Sequence, residues 1–184
     1  MNLTTMDRAA LRRHLKAARE LWLTDHPEAP AALAGHLASV LAQLEPLCLG
    51  LYWPLPGEFD APAFWRQHAL TGVTVALPFA FREGRRMEFR RWDGQAPSQT
   101  DEMGIPAPVG AGVEPDVVLV PCVGYRTDGY RLGYGGGYFD RWLAARPGVT
   151  AVGVAWQSAQ VDFAVAPHDQ ALPIVVTDAG VLAP

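Results

Sequence analysis

The feature that most constrains this chain is a series of short apolar runs: "LCLGLYW" (47–53), "VTVALP" (73–78), "DVVLVP" (116–121), "TAVGVAW" (150–156) and "PIVVT" (173–177). They do not alternate apolar with polar residues, so as strands they must be buried on both faces. Helical patterns lie between them, and that interleaving predicts an α/β fold in three layers, α/β/α, around a mostly parallel sheet. "MEFRRW" (87–92) does alternate and reads as a half-buried strand. Ligands of open α/β sheets collect beyond the carboxyl ends of the strands. That rule gathers residues 53–58, 78–81, 121–138 and 156–169 at one rim.

Residues 6–23 read as an amphipathic helix with Leu11, Leu15, Ala18 and Trp22 on the buried face. At about 100° per residue, Arg8, Arg12, Lys16 and Arg19 form one stripe bordering that face. The stripe is either a solvated edge or one wall of a cleft. A second helix covers 30–45, with Leu33, Leu37, Val40, Leu41 and Leu44 as its core side. Asp60 is placed to cap a short helix from residue 61, and "DRWLAARPG" continues a helix that proline stops. Segment 94–115 is a Pro- and Gly-rich connection, and no internal repeat is visible. A chain of 184 residues suits one domain, 1–184, with a core of its own.

Several classes are excluded. A net charge of −4 argues against a general nucleic-acid grip, and no run approaches the ~18 apolar residues of a membrane helix. The N-terminal stretch has no apolar signal core. Cys48 and Cys122 form no C-x-x-C pair, so zinc is not expected; both read as buried free thiols in a reducing, cytoplasmic setting. No Ser–His–Asp or Cys–His signature is present. Trp92, Trp142 and Trp156 are expected in the core.

The segment richest in chemistry is "RLGYGGGYFDR" (131–141). It fits neither the Walker A loop nor G-x-G-x-x-G, since Tyr138 stands where the last glycine would be. It nonetheless follows an apolar strand and opens a helix, where glycines let backbone N–H groups converge on an anion. Arg131 and Arg141 add fork-shaped donors suited to phosphate oxygens. Asp140 either stabilises the helix dipole or, beside bound phosphates, needs a cation between them. Magnesium takes one or two carboxylates together with phosphate oxygens, and Asp169 in "APHDQ" is a second carboxylate at the same rim. Glu58, among Tyr52, Trp53 and Phe59, either caps the next helix or holds the amide-like edge of a flat heterocycle. Phosphoryl transfer needs only such positioning and charge stabilisation.

With these residues in place, the chain resembles the 5-formyltetrahydrofolate cyclo-ligase (5,10-methenyltetrahydrofolate synthetase) family over almost its whole length. The likeness runs through "DRAALRRHLKAAR", "YWPLPGEFD", "LPFAFREGRRMEF", "MGIPAP", "DVVLVPCVGYRTDGYRLGYGGGYFDR", "AVGVAW" and "PHD". The resemblance implies a fold like the ribose-phosphate isomerase and CoA-transferase group, and an ATP- and Mg2+-dependent cyclisation of 5-formyltetrahydrofolate to 5,10-methenyltetrahydrofolate. In that scheme the formyl oxygen attacks the γ-phosphate, N10 closes the ring, and phosphate leaves. Carried onto this sequence, Arg8, Arg12, Arg131, Leu132, Gly133, Tyr134, Gly135, Gly136, Gly137, Tyr138 and Phe139 would contact ATP. Trp53, Glu58 and the stretch from Tyr134 to Tyr138 would line the folate pocket. Arg131, Tyr138 and Asp140 would serve the reacting phosphate, and Asp140 and Asp169 the magnesium. A monomer is expected, with folate and ATP as its ligands and no nucleic acid or membrane partner.

The family usually has lysine at Arg8, glutamate at Ala107, Phe-Asp at Tyr125-Arg126 and aspartate at Pro173. The alternative to an active enzyme is a folate- or nucleotide-binding relative without turnover. Retention of Glu58, Arg131, Asp140 and Asp169 together favours the enzyme.

Overall fold

A computed structural model describes residues 6–166 and 169–184; His168 of the "PHD" stretch lies outside the described residues. The chain opens with helices α1 (Arg8–Asp25) and α2 (Ala29–Leu44), then strand β1 (Cys48–Gly50), helix α3 (Ala61–His68), and strands β2 (Thr74–Ala80) and β3 (Met87–Arg91). Short strands β4 (Gln99–Thr100), β5 (Pro106–Ala107) and β6 (Gly112–Val113) precede β7 (Val117–Pro121). A small hairpin, β8 (Gly124–Tyr125) and β9 (Arg131–Leu132), leads to α4 (Tyr138–Ala144), β10 (Thr150–Val154), β11 (Ile174–Thr177) and β12 (Gly180–Leu182).

The central sheet has eight strands in the order β12-β11-β10-β7-β1-β2-β3-β6. Strands β11, β10, β7, β1 and β2 run parallel, and β12, β3 and β6 close the edges antiparallel. The parallel strands are the continuous apolar runs, and their side chains divide between two faces. Val117 and Leu119 join Leu33, Leu37 and Leu41 of α2 and Phe64 and Trp65 of α3. Val118 and Val120 point the other way, to Trp142 and Leu143 of α4. A third cluster, Leu11 and Leu15 of α1 with Val123, Leu132, Val161 and Phe163, fastens α1 over the small hairpin at the carboxyl rim. Helices α1 and α3 start on carboxylate caps: Asp7 accepts the Ala10 N–H at 2.7 Å and Asp60, as expected, the Ala63 N–H at 2.8 Å.

The sequence reading departs from the structure in several places, among them the short strands β4, β5, β6, β8 and β9, which it did not foresee. Ala18 is exposed, and Arg19, only 8% exposed, takes its place on the buried face of α1. Strand β2 runs past Pro78 to Ala80, because β1 pairs only as far as Ala76 and the missing proline N–H interrupts no ladder. Strand β12 was not foreseen. Cys48 is half-buried, at the open start of β1, whereas Cys122 is buried, and both are free thiols. Trp92, Trp142 and Trp156 are buried as expected.

Candidate active site

The cationic stripe of α1 faces the glycine loop, so it is a cleft wall. The Arg8 fork closes on Asp169, Nη1 to Oδ2 at 2.7 Å and Nη2 to Oδ1 at 3.2 Å, a two-pronged grip that a lysine would not make. Arg12 Nε donates to the Gly133 carbonyl at 2.7 Å. Lys16 Nζ sits 5.9 Å from the centre of the Tyr134 ring. Arg19 donates to the Tyr134 hydroxyl at 3.2 Å and to the Pro56 carbonyl at 2.5 Å. Burial, and after it the neighbouring Arg8 charge, push the Arg12 guanidinium below its ordinary value, against the pull of Asp169.

The loop's closest approach to this wall is at a glycine. At Gly135, φ is +94° and an added Cβ would stand 3.3 Å from the Arg12 guanidinium carbon. Gly137 is the N-cap of α4 and supplies no side-chain cap. Leu132 is fully buried and Phe139 packs against both core clusters, so from these two the loop offers a ligand backbone only. The Tyr138 hydroxyl reaches across to the Phe81 carbonyl (3.3 Å) and Met103 Sδ (3.1 Å), a contact the sequence did not foretell. The Arg141 side chain is spent on the backbone carbonyls of Gly136 and Arg85.

At the base of the loop Arg131 Nη2 donates to Asp140 Oδ1 at 2.6 Å, with the Arg131 side chain 3% exposed. Three buried side-chain polar atoms have no hydrogen-bond partner among the described residues: Arg8 Nε, Arg19 Nε and Arg131 Nη1. All belong to arginines of this rim. A buried unsatisfied donor costs about 1–3 kcal/mol, so each of these nitrogens would be stabilised by an acceptor.

Glu58 lies further along. Its Oε2 accepts the Leu55 N–H at 2.8 Å and its Oε1 the Tyr134 hydroxyl at 2.5 Å. Burial raises its carboxyl above the usual range, against the Leu55 and Tyr134 hydrogen bonds and the Arg19 charge, which pull it back. Asp60 caps α3, so Glu58 does not. With Arg19, Tyr52, Phe59, Cys122 and Trp156 it lines a narrow crevice of about 10 Å³, room for about one water molecule. That is far below the roughly 300–1,000 Å³ of a whole-ligand pocket, so a ligand ring reaches Glu58 only if the crevice opens. Trp53 is half-buried against the adjoining core. Burial pushes the Cys122 thiol up to about 12, so this cysteine is inert packing.

For a divalent cation the donors are Asp140 and Asp169, each already gripped by an arginine. Among the described residues no three His, Cys, Asp or Glu side chains form a ligand cluster. Magnesium is commonly held by one or two carboxylates plus substrate phosphates. The residues therefore fit an ion that arrives with a nucleotide, and do not fit one resident alone.

Fold and rim together define a class: an α/β protein whose glycine loop, buried arginines and narrow crevice gather at the carboxyl rim of a mostly parallel sheet. The chain belongs to the 5-formyltetrahydrofolate cyclo-ligase family, whose model matches residues 4–178. It is 26% identical over 173 residues to the 5-formyltetrahydrofolate cyclo-ligase of Haemophilus influenzae, covering 87% of this chain and 91% of that protein. A stretch of 64 residues is 38% identical to the Mycoplasma pneumoniae cyclo-ligase, covering 34% of this chain and 39% of that one. Among solved structures, the fold matches the 5,10-methenyltetrahydrofolate synthetase of Aquifex aeolicus with a TM-score of 0.77 at 28% identity, over 97% of this chain and 93% of that one. The Mycoplasma pneumoniae synthetase gives the same TM-score, 0.77, at 23% identity over 94% and 99% of the two chains.

The departures from the family pattern find local partners. Arg126 pairs with Asp128 at 2.7 Å and donates to the Phe163 carbonyl at 2.8 Å. Ala107 is fully buried in β5, and Pro173 is exposed. The residue that sequence reasoning missed is Arg19. Its signal was present: Leu11, Leu15, Arg19 and Trp22 keep helical period, but an arginine on such a face reads as solvated.

Proposed function

We infer that the chain catalyses the ATP-dependent cyclisation of 5-formyltetrahydrofolate to 5,10-methenyltetrahydrofolate, with release of ADP and phosphate. The observation that carries this reading is the meeting of α1 with the glycine loop, where Arg12 grips the Gly133 carbonyl and the buried Arg131, its Nη1 unpartnered among the described residues, is anchored on Asp140. When bound, ATP with magnesium supplies the phosphoryl group that turns the formyl oxygen into a leaving group.

The chain's own residues bind, orient and shield. Arg131 is buried and anchored on Asp140, and its Nη1, unpartnered among the described residues, is the donor this reading assigns to the charge that develops on a transferring phosphoryl group. Arg8 and Arg12 hold the phosphate tail from the α1 side, and the backbone amides of 133–137 from the loop side. Tyr138, tied to Phe81, closes the far edge of the loop. Glu58 and Tyr134 fix the donor edge of the pterin, with Trp53 beside it, so that the formyl group is presented toward the loop. Asp140 and Asp169 would hold the magnesium ion. The enzyme acts as a cytoplasmic monomer, without a nucleic-acid or membrane partner; among the described residues no helix is long and apolar enough to cross a membrane.

The test is direct. Mixing protein, ATP, magnesium and 5-formyltetrahydrofolate is expected to produce the methenyl chromophore, and omitting ATP to suppress it. Binding of both ligands with no chromophore would instead establish the relative without turnover.

A further inference from the structure

Arg19 differs from Arg8 and Arg131 in meeting no carboxylate within ion-pair distance among the described residues. It is 8% exposed, on the buried face of its helix, and carries one of the three orphan nitrogens. The chain is shaped around it. Gly57 has φ +74°, and an added Cβ there would stand 2.9 Å from Arg19 Nε. Trp156 Nε1 pins the same turn through the Gly57 carbonyl at 2.8 Å. A charged side chain held this closely, with no counter-charge in contact, needs a reason.

Hydrogen-bond direction supplies one. A guanidinium only donates, so the Tyr134 oxygen is the acceptor in its 3.2 Å contact with Arg19. The single hydroxyl proton of Tyr134 is thereby committed to Glu58 Oε1 at 2.5 Å. The groups facing Glu58 are Arg19 from α1, Tyr134 from the glycine loop, Tyr52 from the segment after β1 and Cys122 from the segment after β7. Burial keeps the Tyr52 hydroxyl and the Cys122 thiol protonated, which leaves Arg19 as the charge among them. The donor edge of a pterin, an N–H beside an amino group, requires an ionised carboxylate.

We propose that Arg19 is a substrate-positioning residue, whose guanidinium locks the Tyr134 hydroxyl onto Glu58 and so holds Glu58 as the ionised acceptor for the pterin ring. This rests on the reading of Glu58 given under the proposed function. Without Arg19 the tyrosine proton is free to turn away and Glu58 loses its counter-charge, so Glu58 protonates at a higher pH than before.

The experiment measures 5-formyltetrahydrofolate affinity by tryptophan fluorescence across the neutral pH range, with ATP affinity alongside. Arg19→Gln is expected to weaken folate binding roughly tenfold at neutral pH, with affinity recovering as pH rises. ATP affinity should be unchanged and the loss should fall on KM, not kcat. Arg19→Lys keeps the charge, should recover part of the affinity, and serves as the test variant if the glutamine form does not fold by circular dichroism. In a Glu58→Gln background both the pH dependence and the cost of Arg19→Gln should shrink to within about twofold. A wild-type pH profile in both Arg19 variants, or an equal loss with and without Glu58, overturns the proposal while leaving the function standing. A folded wild-type protein that binds no 5-formyltetrahydrofolate overturns both.

Discussion

The two ends of the cleft solve the burial of charge in opposite ways. At the glycine loop every carboxylate is already held by a guanidinium: Asp140 by Arg131 at 2.6 Å and Asp169 by Arg8 at 2.7 Å. At the crevice one carboxylate and one guanidinium are kept apart by a tyrosine hydroxyl that touches both. The first arrangement suits a ligand that carries its own charge, because an arriving phosphate and cation can exchange for the resident partners without leaving a charge bare. The second suits a neutral ring with directed donors, where a tight ion pair would have consumed the acceptor. Charge is stored at one end in pairs and at the other as a polarised chain.

The strongest way to break this comparison is at Asp140. Asp140→Asn removes the charge that anchors Arg131 and would hold magnesium, and turnover should fall about a thousandfold or more while circular dichroism stays unchanged. Unaltered turnover would mean that the loop end does not work through its paired carboxylates. A related outcome separates resident from imported metal. Calorimetry should detect no magnesium binding to the protein alone and clear binding when a nonhydrolysable ATP analogue is present.

Next in size is Glu58→Ala. Losing the acceptor leaves the donor edge of the ring unpaired, so folate affinity should drop roughly a hundredfold, with ATP affinity held within about twofold. Equal losses for both ligands would make Glu58 a structural residue of the 55–58 turn and dissolve the distinction between the ends. Smaller still is Arg8→Lys. The charge survives but the two-pronged grip on Asp169 does not, so ATP affinity should fall about threefold to tenfold, with folate affinity unaffected.

Much of the frame was legible in the sequence because parallel strands buried on both faces leave continuous apolar runs. β7, with Val117 to Val120 all buried, is the clearest example. The edge pieces were not legible, since the two-residue strands β8 and β9 and the three-residue β12 are too short to show a period. At the site, residue types were readable and partnerships were not. The contacts of Arg8 with Asp169 and of Tyr134 with Glu58 join positions 161 and 76 residues apart, which only the folded rim brings together. Arg19 was legible only as one cation of the α1 stripe, and its burial was not, because hydropathy assigns arginine to water while the fold holds this one in the core.

The smallest effect is in stability. Burial raises the Glu58 carboxyl above 4.5, its ordinary value, so in the window just above that pH the folded protein binds more protons than the unfolded chain. Stability contributed by this group is therefore full below the window and is lost as pH rises through it, with a slope of at most about 1.4 kcal/mol per pH unit. Asp128, held below 3.8 chiefly by its hydrogen bond from Arg126, works in the opposite sense and lower down, where its contribution is lost as pH falls. Thermal melts of wild type and Glu58→Gln across mildly acidic pH separate the two groups, because Asp128 is common to both proteins and cancels in the difference. The wild-type advantage over Glu58→Gln should shrink as pH rises through the window and then level off. A difference that stays flat would place Glu58 in water rather than in the crevice, and the contrast between the two ends of the cleft would go with it.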